Sequence, residues 1–193
     1  MAAEQPIFTG RQLRALIVPL VLEQILGLTV GMADSIMVSS AGEAAVSGVS
    51  LVDSINILLV NTFASVSTGG AVVAAHRLGE KKREAANKTA DQLLMCVTGI
   101  ALLVTALSLL FNRPILKLIF GNVEESVMSN AVIYFYMTAL SFPFLGIYNA
   151  SAALSRAMGN SAITMRISVL MNVVNIAGNA LLIMGLGWGV FGA

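Results

Sequence analysis

The chain has 193 residues, of which 57% are hydrophobic and only 11% are charged, and its mean hydropathy is +0.86. Soluble domains are usually about 25% charged, so this composition argues against a soluble globular protein. The formal net charge of +1 gives no electrostatic field that would point to nucleic acid as a partner. The single cysteine, Cys96, excludes an intramolecular disulfide.

Apolar runs long enough to cross a bilayer recur along the chain. A hydrocarbon core about 30 Å thick needs roughly 20 apolar residues as a helix. The residues before the first run lack the apolar core and cleavage site of a signal peptide, so 1–12 is interpreted as a cytoplasmic lead-in. The closing "GWGVFGA" is typical of the entry to a sixth span. The predicted fold class is all-α, a polytopic transmembrane helix bundle with five spans at about 13–38, 49–75, 91–111, 130–154 and 162–187.

The basic residues are unevenly distributed over this five-span arrangement. An excess of Lys and Arg in short loops marks the cytoplasmic face. Only Arg113 and Lys117 fall on one side, so the opposite side and the N-terminus are predicted to be cytoplasmic. The charged run at 76–88 is interpreted as a solvated connector. The nine residues on the cytoplasmic side are Arg11, Arg14, Arg77, Lys81, Lys82, Arg83, Lys88, Arg156 and Arg166.

The first span carries two carboxylates, Glu23 and Asp34, at membrane depth. They are eleven residues apart, which is three helical turns to within about 20°, so both are expected to line one face. A charged side chain inside a membrane normally faces a bundle interior or a water-filled cavity. Pro19 removes a backbone donor from the same span and predicts a kink or hinge there.

Other polar residues lie inside the later spans. Asp53 and Asn56 share a face of the second span, and the end of a helix in solvent is the favoured interpretation for Asp53. Interhelical hydrogen bonding is the ordinary role of a transmembrane asparagine. Several of them together with Asp34 favour a polar cavity instead. These asparagines are Asn149 in the fourth span and Asn172, Asn175 and Asn179 in the fifth.

The sequence contains no motif that indicates an enzyme. "TGGA" lacks the lysine of a phosphate-binding loop, and the single His76 has no second ligand for a metal. Ser and Asp residues occur without a histidine in reach, so a hydrolytic triad cannot be assembled. "GMAD" is not the motif of an intramembrane aspartyl protease. We therefore expect neither a catalytic site nor a cofactor.

Several segments together resemble the multidrug and toxic compound extrusion (MATE) family. Pro19 and Gln24 followed by "ADSIMVSSAG" are similar to the family's first helix. The remaining matches are in the family's order and, with the first, cover nearly the whole chain: "GGAVVAAHRLGEKKREAA", "RPILKLIF", "YNASAALSRAMGNSAITM" and "NVVNIAGNALLIMGLGWGVFGA".

The resemblance implies a twelve-helix exporter of two six-helix lobes, with residues 13–193 as most of the N-terminal lobe. It implies that Asp34, Asn175 and Asn179 are the ion-coupling residues. It also implies that Ala193 occupies a position where some members bind sodium through a backbone carbonyl. By the same resemblance Pro19 is the hinge, and the residues of the substrate cavity are Asn149, Gln24 and Met37.

Three positions depart from the family pattern. Asn179 stands where many members have a second aspartate, Ser39 replaces a usual glycine, and His76 replaces a usual glutamine. With Asn179 neutral, the matched site carries one formal negative charge instead of two. Hard cations favour charged oxygen ligands, so this departure favours H⁺ as the coupling ion, with Na⁺ near Asp34, Asn175 and Asn179 as the alternative.

These observations predict a cation-coupled antiporter that exports drugs or other organic substrates, chiefly cations, by alternating access across a bacterial inner membrane. The expected partners are the substrate, the lipid bilayer and a C-terminal lobe, and no nucleic acid. One alternative is a lipid-linked saccharide flippase of the same superfamily. Such a substrate would call for basic residues inside the cavity, whereas every Lys and Arg is predicted near a membrane boundary. A non-transporting membrane assembly protein is the other alternative, in which Asp34 would be dispensable.

Overall fold

The computed structural model describes residues 10–192, and every regular element in that range is helical. A π-helical segment follows the last α-helix at Ala180–Gly185, and a short 3-10 helix lies at Gly189–Gly192. The residues predicted as the entry to a sixth span, 187–193, fall in this closing region, and Ala193 lies outside the described residues. The α-helices are α1 Gly10–Ser39, α2 Glu43–Gly79, α3 Arg83–Leu110, α4 Asn112–Phe120, α5 Glu125–Ala157 and α6 Ser161–Asn179.

Five of these helices are long and apolar enough to cross a membrane. Their length and composition identify the protein as a multi-pass membrane protein, and the predicted all-α class with five spans is confirmed. The membrane-length segments are Leu13–Ser39, Glu43–Gly79, Arg83–Leu110, Glu125–Ala157 and Ser161–Gly185.

The helices extend past most ends of the predicted apolar runs. Helix α2 begins at Glu43 instead of 49, α3 at Arg83 instead of 91, and α5 at Glu125 instead of 130. Hydropathy detects only the part of a helix that lies in hydrocarbon, whereas the backbone continues as helix into the interfacial layer. An acidic residue in the first turn stabilises each of these three N-termini through the helix dipole.

The charged run at 76–88, interpreted as a solvated connector, is largely exposed but mostly helical. Helix α2 continues to Gly79 and α3 begins at Arg83, so the connection is only three residues long. Lys81 sits in this turn with a φ of 62°. Lys82 pairs with Glu80 at 3.0 Å on the exposed surface. Most of the basic residues therefore lie on exposed helix ends.

The short helix α4 was not predicted as a separate element, because it is too short to give a transmembrane signal. Leu116 is buried beneath it, whereas Leu118 on the opposite side is exposed. Asn112 donates a hydrogen bond from Nδ2 to the Val132 carbonyl of α5 at 3.1 Å. Arg113 pairs with both carboxylate oxygens of Glu125, at 2.7 and 2.8 Å. These contacts fix α4 against the start of α5.

The centre of the bundle is built by α2, α3 and α5, which pack against one another along their length. Phe135 and Phe142 of α5 are both almost completely buried there, with ring centroids 6.5 Å apart. Helix α1 packs mainly against α6 instead, so these two form a pair beside the core. The central cluster comprises Val52, Ile55, Phe63, Ala101, Leu116, Met128, Ala131, Phe135, Ala139 and Phe142.

A second apolar cluster joins the end of α1 to the start of α2 and to the π-helical segment. We call it the Met37 cluster. Ala33 and Ala180, the sequence neighbours of Asp34 and Asn179, pack against it, as does Tyr134. It therefore holds the backbone on both sides of a polar contact between α1 and α6. Its buried members are Met37, Val38, Ala45, Val49, Ile183 and Val190.

Close packing of α2 on α5 requires a glycine at position 48. A Cβ built there would lie 2.9 Å from the backbone atoms Ala131 N and Val127 O. We expect Gly48→Ala to force the helices apart and lower the free energy of unfolding by about 1–3 kcal/mol. Unfolding of the purified protein in mixed micelles measures this change.

Gly69→Ala is the matched control for this substitution. Gly69 lies on the same helix, but a Cβ there would meet nothing within 4 Å. Alanine is the better helix former by about 1 kcal/mol, so Gly69→Ala should be neutral or stabilising. Equal destabilisation by the two substitutions would show that helix contact is not the reason for Gly48.

Candidate functional site

Asp34 of α1 meets the side chains of two asparagines from α6. Asn179 Nδ2 donates to Asp34 Oδ1 at 2.8 Å. The Asn175 amide, in the orientation that satisfies both its polar atoms, donates to Oδ1 at 3.1 Å and to Oδ2 at 3.3 Å. The two asparagines are four residues apart and lie on one face of α6. The structure thus brings the three predicted ion-coupling residues together.

The charge of Asp34 is not neutralised by a neighbouring base. Among residues 10–192, no Lys, Arg or His nitrogen lies within 4.0 Å of its carboxylate. Asp34 is half-buried and Asn179 is buried. In this setting the ionised carboxylate is stabilised by the two amide donors. When Asp34 loses its charge, the two amide nitrogens are no longer both held toward it. The site can therefore change its hydrogen bonding with its charge.

A second carboxylate, Asp53 of α2, is joined to the surroundings of Asp34 by Tyr134, which also packs against the Met37 cluster. Tyr134 of α5 donates its hydroxyl to Asp53 Oδ1 at 3.1 Å. Asn56 Nδ2 approaches the same oxygen at 3.5 Å, as expected from the shared face. Asp53 is half-buried, so it is not a helix end in solvent, contrary to the sequence interpretation.

The remaining cavity candidates make no hydrogen bond to Asp34 among the described residues. Asn149 is buried in α5 and donates from Nδ2 to the Leu145 carbonyl of its own helix at 2.9 Å. Gln24 is exposed on α1. Met37 is buried in the apolar cluster named after it. Of these three, only Gln24 presents its side chain at an open surface of the chain.

Pro19 lies inside α1, which remains helical on both sides of it from Gly10 to Ser39. Proline lacks the amide donor that would serve the carbonyl four residues earlier, at Ala15. Pro19 is half-buried, and the residues around it on α1 are largely exposed. This part of α1 is therefore held by few apolar contacts and can bend at low cost.

Glu23 forms a further polar contact that the sequence analysis did not anticipate. Tyr148 of α5 donates its hydroxyl to Glu23 Oε1 at 3.2 Å. The Arg156 guanidinium lies 4.0 Å from the same oxygen. The phenols of Tyr134 and Tyr148 were missed because tyrosine in an apolar span reads as ordinary packing, and only the fold places their hydroxyls on carboxylates.

Asp34 is met by amide donors and not by the oxygen ligands that a metal ion binds. Within the described residues, no group of three or more His, Cys, Asp or Glu side chains could hold a metal. Asn179 presents its amide nitrogen to Asp34, whereas sodium requires oxygen ligands. A sodium ion here would need the amides of α6 to turn over.

The fold and this polar site define a class of protein, a multi-pass membrane protein with a charged centre between its helices. Residues 19–181 match the MatE family profile. The chain therefore belongs to the MatE family. This agrees with the resemblance seen in the sequence.

Two curated proteins are similar to the chain in sequence, and a solved structure is similar to it in fold. The chain is 28% identical over 193 residues to the uncharacterized transporter YisQ of Bacillus subtilis, covering 99% of this chain and 42% of that protein. It is 26% identical over 177 residues to the probable multidrug resistance protein NorM of Chromobacterium violaceum, covering 92% and 38% respectively. A multidrug resistance MATE family transporter of the MOP superfamily, solved in an outward-facing conformation, superposes with a TM-score of 0.87. That match has 21% identity over 94% of this chain and 40% of the other. The chain thus spans about two fifths of the length of these relatives.

Proposed function

We propose that this chain forms one lobe of a proton-coupled antiporter that exports organic substrates by alternating access. The observation that carries the proposal is the contact of Asp34 with Asn175 and Asn179. Asp34 has no basic partner in the described part of the chain and is held between α1 and α6 by neutral amides. Its charge can therefore change without leaving an unpaired positive charge beside it. Membership of the MatE family and the relation to a probable multidrug resistance protein support transport as the activity.

The mechanism follows from what protonation does to this contact. Ionised Asp34 accepts hydrogen bonds from both asparagines of α6. In protonated Asp34 one carboxyl oxygen becomes a donor, while the other can still accept. One amide of α6 can keep donating, but the other must turn its oxygen toward the new O–H group or lose its contact, which would loosen α1 from α6. Gain and loss of one proton would thereby alternate between two arrangements of the helix pair.

Organic cations are the substrate class that this charge favours. The ionised carboxylate of Asp34 attracts a cation when the proton has left, and proton and substrate would then compete for one negative charge. Exposed Gln24 supplies a polar group on the same helix, and Asn149 would contribute after a change in its hydrogen bonding. Na⁺ remains the alternative coupling ion, with Asp34, Asn175 and Asn179 as its ligands.

The proposed location is the bacterial inner membrane with a cytoplasmic N-terminus. The turn between α2 and α3 and the adjoining helix ends carry most of the exposed basic residues. The positive-inside rule places this end of the bundle in the cytoplasm. Asp34, near the far end of α1, would then lie toward the outer side of the membrane.

We further propose that transport needs a second lobe, since the chain covers 42% and 38% of the two curated relatives. The test is energy-dependent ethidium efflux in an efflux-deficient strain. We expect efflux from a complete two-lobed transporter that contains this sequence and none from residues 1–193 expressed alone at equal membrane abundance. Efflux by the 193-residue chain alone would contradict the lobe proposal. If the complete transporter moves lipid-linked saccharides and no organic cation, that result would contradict organic cations as the substrate class.

Pro19 gives a prediction about the movement of α1. Pro19→Ala restores the backbone hydrogen bond to Ala15 and should straighten the helix. We expect insertion to be unchanged, because alanine suits a helix, and efflux by the complete transporter to fall about tenfold or more, the loss that a stiffening of about 1.4 kcal/mol would give. Efflux and membrane abundance are measured together.

Pro143→Ala is the control for this experiment. Pro143 also lies inside a long helix, α5, but that helix is fixed in the central cluster. Its replacement should change efflux little. If Pro19→Ala and Pro143→Ala behave alike, the hinge has no place in the mechanism.

A further inference from the structure

The polar side chains of α1 and α6 face each other in a constant register. Asp34 contacts Asn179, 145 residues further along the chain. At the other end of the pair, the Tyr148 hydroxyl that donates to Glu23 lies within hydrogen-bonding reach of Ser168, which is also 145 residues after Glu23. The two helices thus run parallel between these points. The two polar levels are separated by eleven residues, or about 16 Å along the helices.

A line of polar residues on α6 connects these two levels. Ser168, Asn172, Asn175 and Asn179 follow one another at intervals of four, three and four residues. At 100° per residue these positions lie within about 60° of each other around the helix. We call this line the α6 polar stripe. It contacts Asp34 at one end and lies beside Tyr148, the donor to Glu23, at the other, so between these points it runs along the interface of α6 with α1.

Two polar atoms along this interface are buried without a hydrogen-bond partner among the described residues. They are Oε2 of Glu23 and Nδ2 of Asn172. The Glu23 side chain is only 15% exposed. An unsatisfied buried polar atom costs about 1–3 kcal/mol, and native proteins usually satisfy such atoms with ordered water. An acceptor and a donor one helical turn apart on facing helices are suited to bind water between them.

Two exposed glycines leave the surface of α1 open beside this route. Gly27 lies one turn beyond Glu23, and Gly31 lies one turn further toward Asp34. A Cβ at either position would meet nothing within 4 Å. Val30, the buried apolar side chain of this stretch, lies on the same face as Glu23 and Asp34, so water would have to pass beside it, on the side of the two glycines.

We propose that Glu23 is a proton relay, connected to Asp34 by a file of water along the α6 polar stripe. The relay rests on the proposed proton coupling at Asp34 and adds the route by which the proton leaves. A proton released by Asp34 passes through water held by Asn172 to the free oxygen of Glu23, and from there to the cytoplasmic end of α1. No bond other than the O–H bonds changes, and the charge moves with the proton.

The surroundings of Glu23 suit this role. From α5 it faces the phenol of Tyr148 and the guanidinium of Arg156, and α6 contributes the neutral Ser168. Tyr148 and Arg156 both act on Oε1, which leaves Oε2 directed away from them and free to accept the proton. Arg156 is itself 29% exposed, so the group beside Glu23 reaches the surface of the protein.

The water file is tested by cysteine accessibility in the 193-residue chain in membranes. Cys96, the only native cysteine, is exposed and is first replaced by serine. Asn172→Cys is then treated with a small, charged, water-soluble thiol reagent. Leu170→Cys is the control, since Leu170 lies about 160° away on α6 and is exposed to the outside of the bundle. We expect Asn172→Cys to react at least about tenfold faster than Leu170→Cys. Equal rates would overturn the water file.

The relay is tested by Glu23→Gln in the complete transporter. Glutamine keeps the acceptor for Tyr148 but cannot carry the proton, so net proton-driven efflux should fall about tenfold or more. Exchange of labelled for unlabelled substrate, which needs no net proton movement, should be unchanged. Small weak acids such as formate should restore part of the net efflux. Glu84→Gln, at an exposed position, should behave as wild type.

The outcomes separate this inference from the proposed function. If Asp34→Asn abolishes net efflux and Glu23→Gln leaves it at the wild-type rate, the relay is wrong and the coupling proposal stands. If Glu23→Gln slows exchange and net efflux equally, Glu23 is a structural contact and the relay is again wrong. If Asp34→Asn itself transports as wild type, both proposals fall.

Discussion

Replacing Asp34 with asparagine is expected to abolish gradient-driven efflux while leaving membrane insertion and substrate binding largely intact. Asparagine preserves the size of the side chain and offers an oxygen to Asn179, whose Nδ2 now donates to Asp34 at 2.8 Å. The variant has no charge to gain or lose, so it permanently mimics the protonated half of the transport cycle. We expect efflux by the complete transporter to fall by a factor of about 100 or more, as when a group essential for proton transfer is removed.

The measurement is drug efflux from proteoliposomes against an imposed pH gradient, with expression and substrate binding followed in parallel. Asp34→Glu should retain part of the activity with a displaced pH profile, because the ionisable group remains but moves by one methylene. Asp91→Asn, at an exposed position of α3, is the matched control for the chemical change. An aspartate that only ties α1 to α6 would be replaced well by asparagine, so wild-type efflux from Asp34→Asn would end the coupling proposal.

Replacing Asn179 with aspartate is expected to make the protein dependent on sodium for its stability. The new carboxylate would lie in hydrogen-bonding distance of Asp34 with no basic side chain of the described chain within 4.0 Å of that aspartate. Two like charges about 4 Å apart repel by about 4 kcal/mol at an effective dielectric constant of about 20. One proton or one bound cation must then compensate, and two carboxylates provide the charged oxygens that a hard cation favours.

Thermal unfolding in lipid nanodiscs distinguishes the two compensations. In potassium buffer at pH 8 the variant should unfold at a lower temperature than wild type. Added sodium should restore it, by about 2.7 kcal/mol when the sodium concentration is about 100 times its dissociation constant. Wild type should show little response to sodium, and so should Asn87→Asp, an exposed control on α3. A wild-type protein stabilised by sodium as strongly as the variant would contradict the preference for H⁺.

The sequence predicted which polar residues share a helical face, because helical periodicity is a local property. Asn175 and Asn179 lie on one face by their spacing alone, and intramembrane Asp34 had to face the interior of the bundle. Their meeting depended on how α1 pairs with α6, which only the family resemblance implied. The structure then placed these three side chains in hydrogen-bonding contact.

The missed features have identifiable physical causes. The contacts of Tyr134 with Asp53 and of Tyr148 with Glu23 join residues 81 and 125 positions apart, and no local pattern reports such distances. Helix α4 is shorter than any membrane span. The fifth span, predicted at about 162–187, is present at Ser161–Gly185, but its α-helix ends at Asn179 and its last six residues are π-helical. Hydropathy cannot distinguish these two backbone arrangements.

The π-helical segment at Ala180–Gly185 has a consequence for how this chain is aligned with its relatives. A π-helix closes its hydrogen bonds over five residues instead of four, so it accommodates one residue more per turn than the α-helix it interrupts. A relative that lacks one residue in this segment can keep Asn179 and the Met37 cluster in place by continuing as regular α-helix. A gap of one position immediately after Asn179 should therefore be treated as a change of winding, and the residues on either side of it as structurally equivalent.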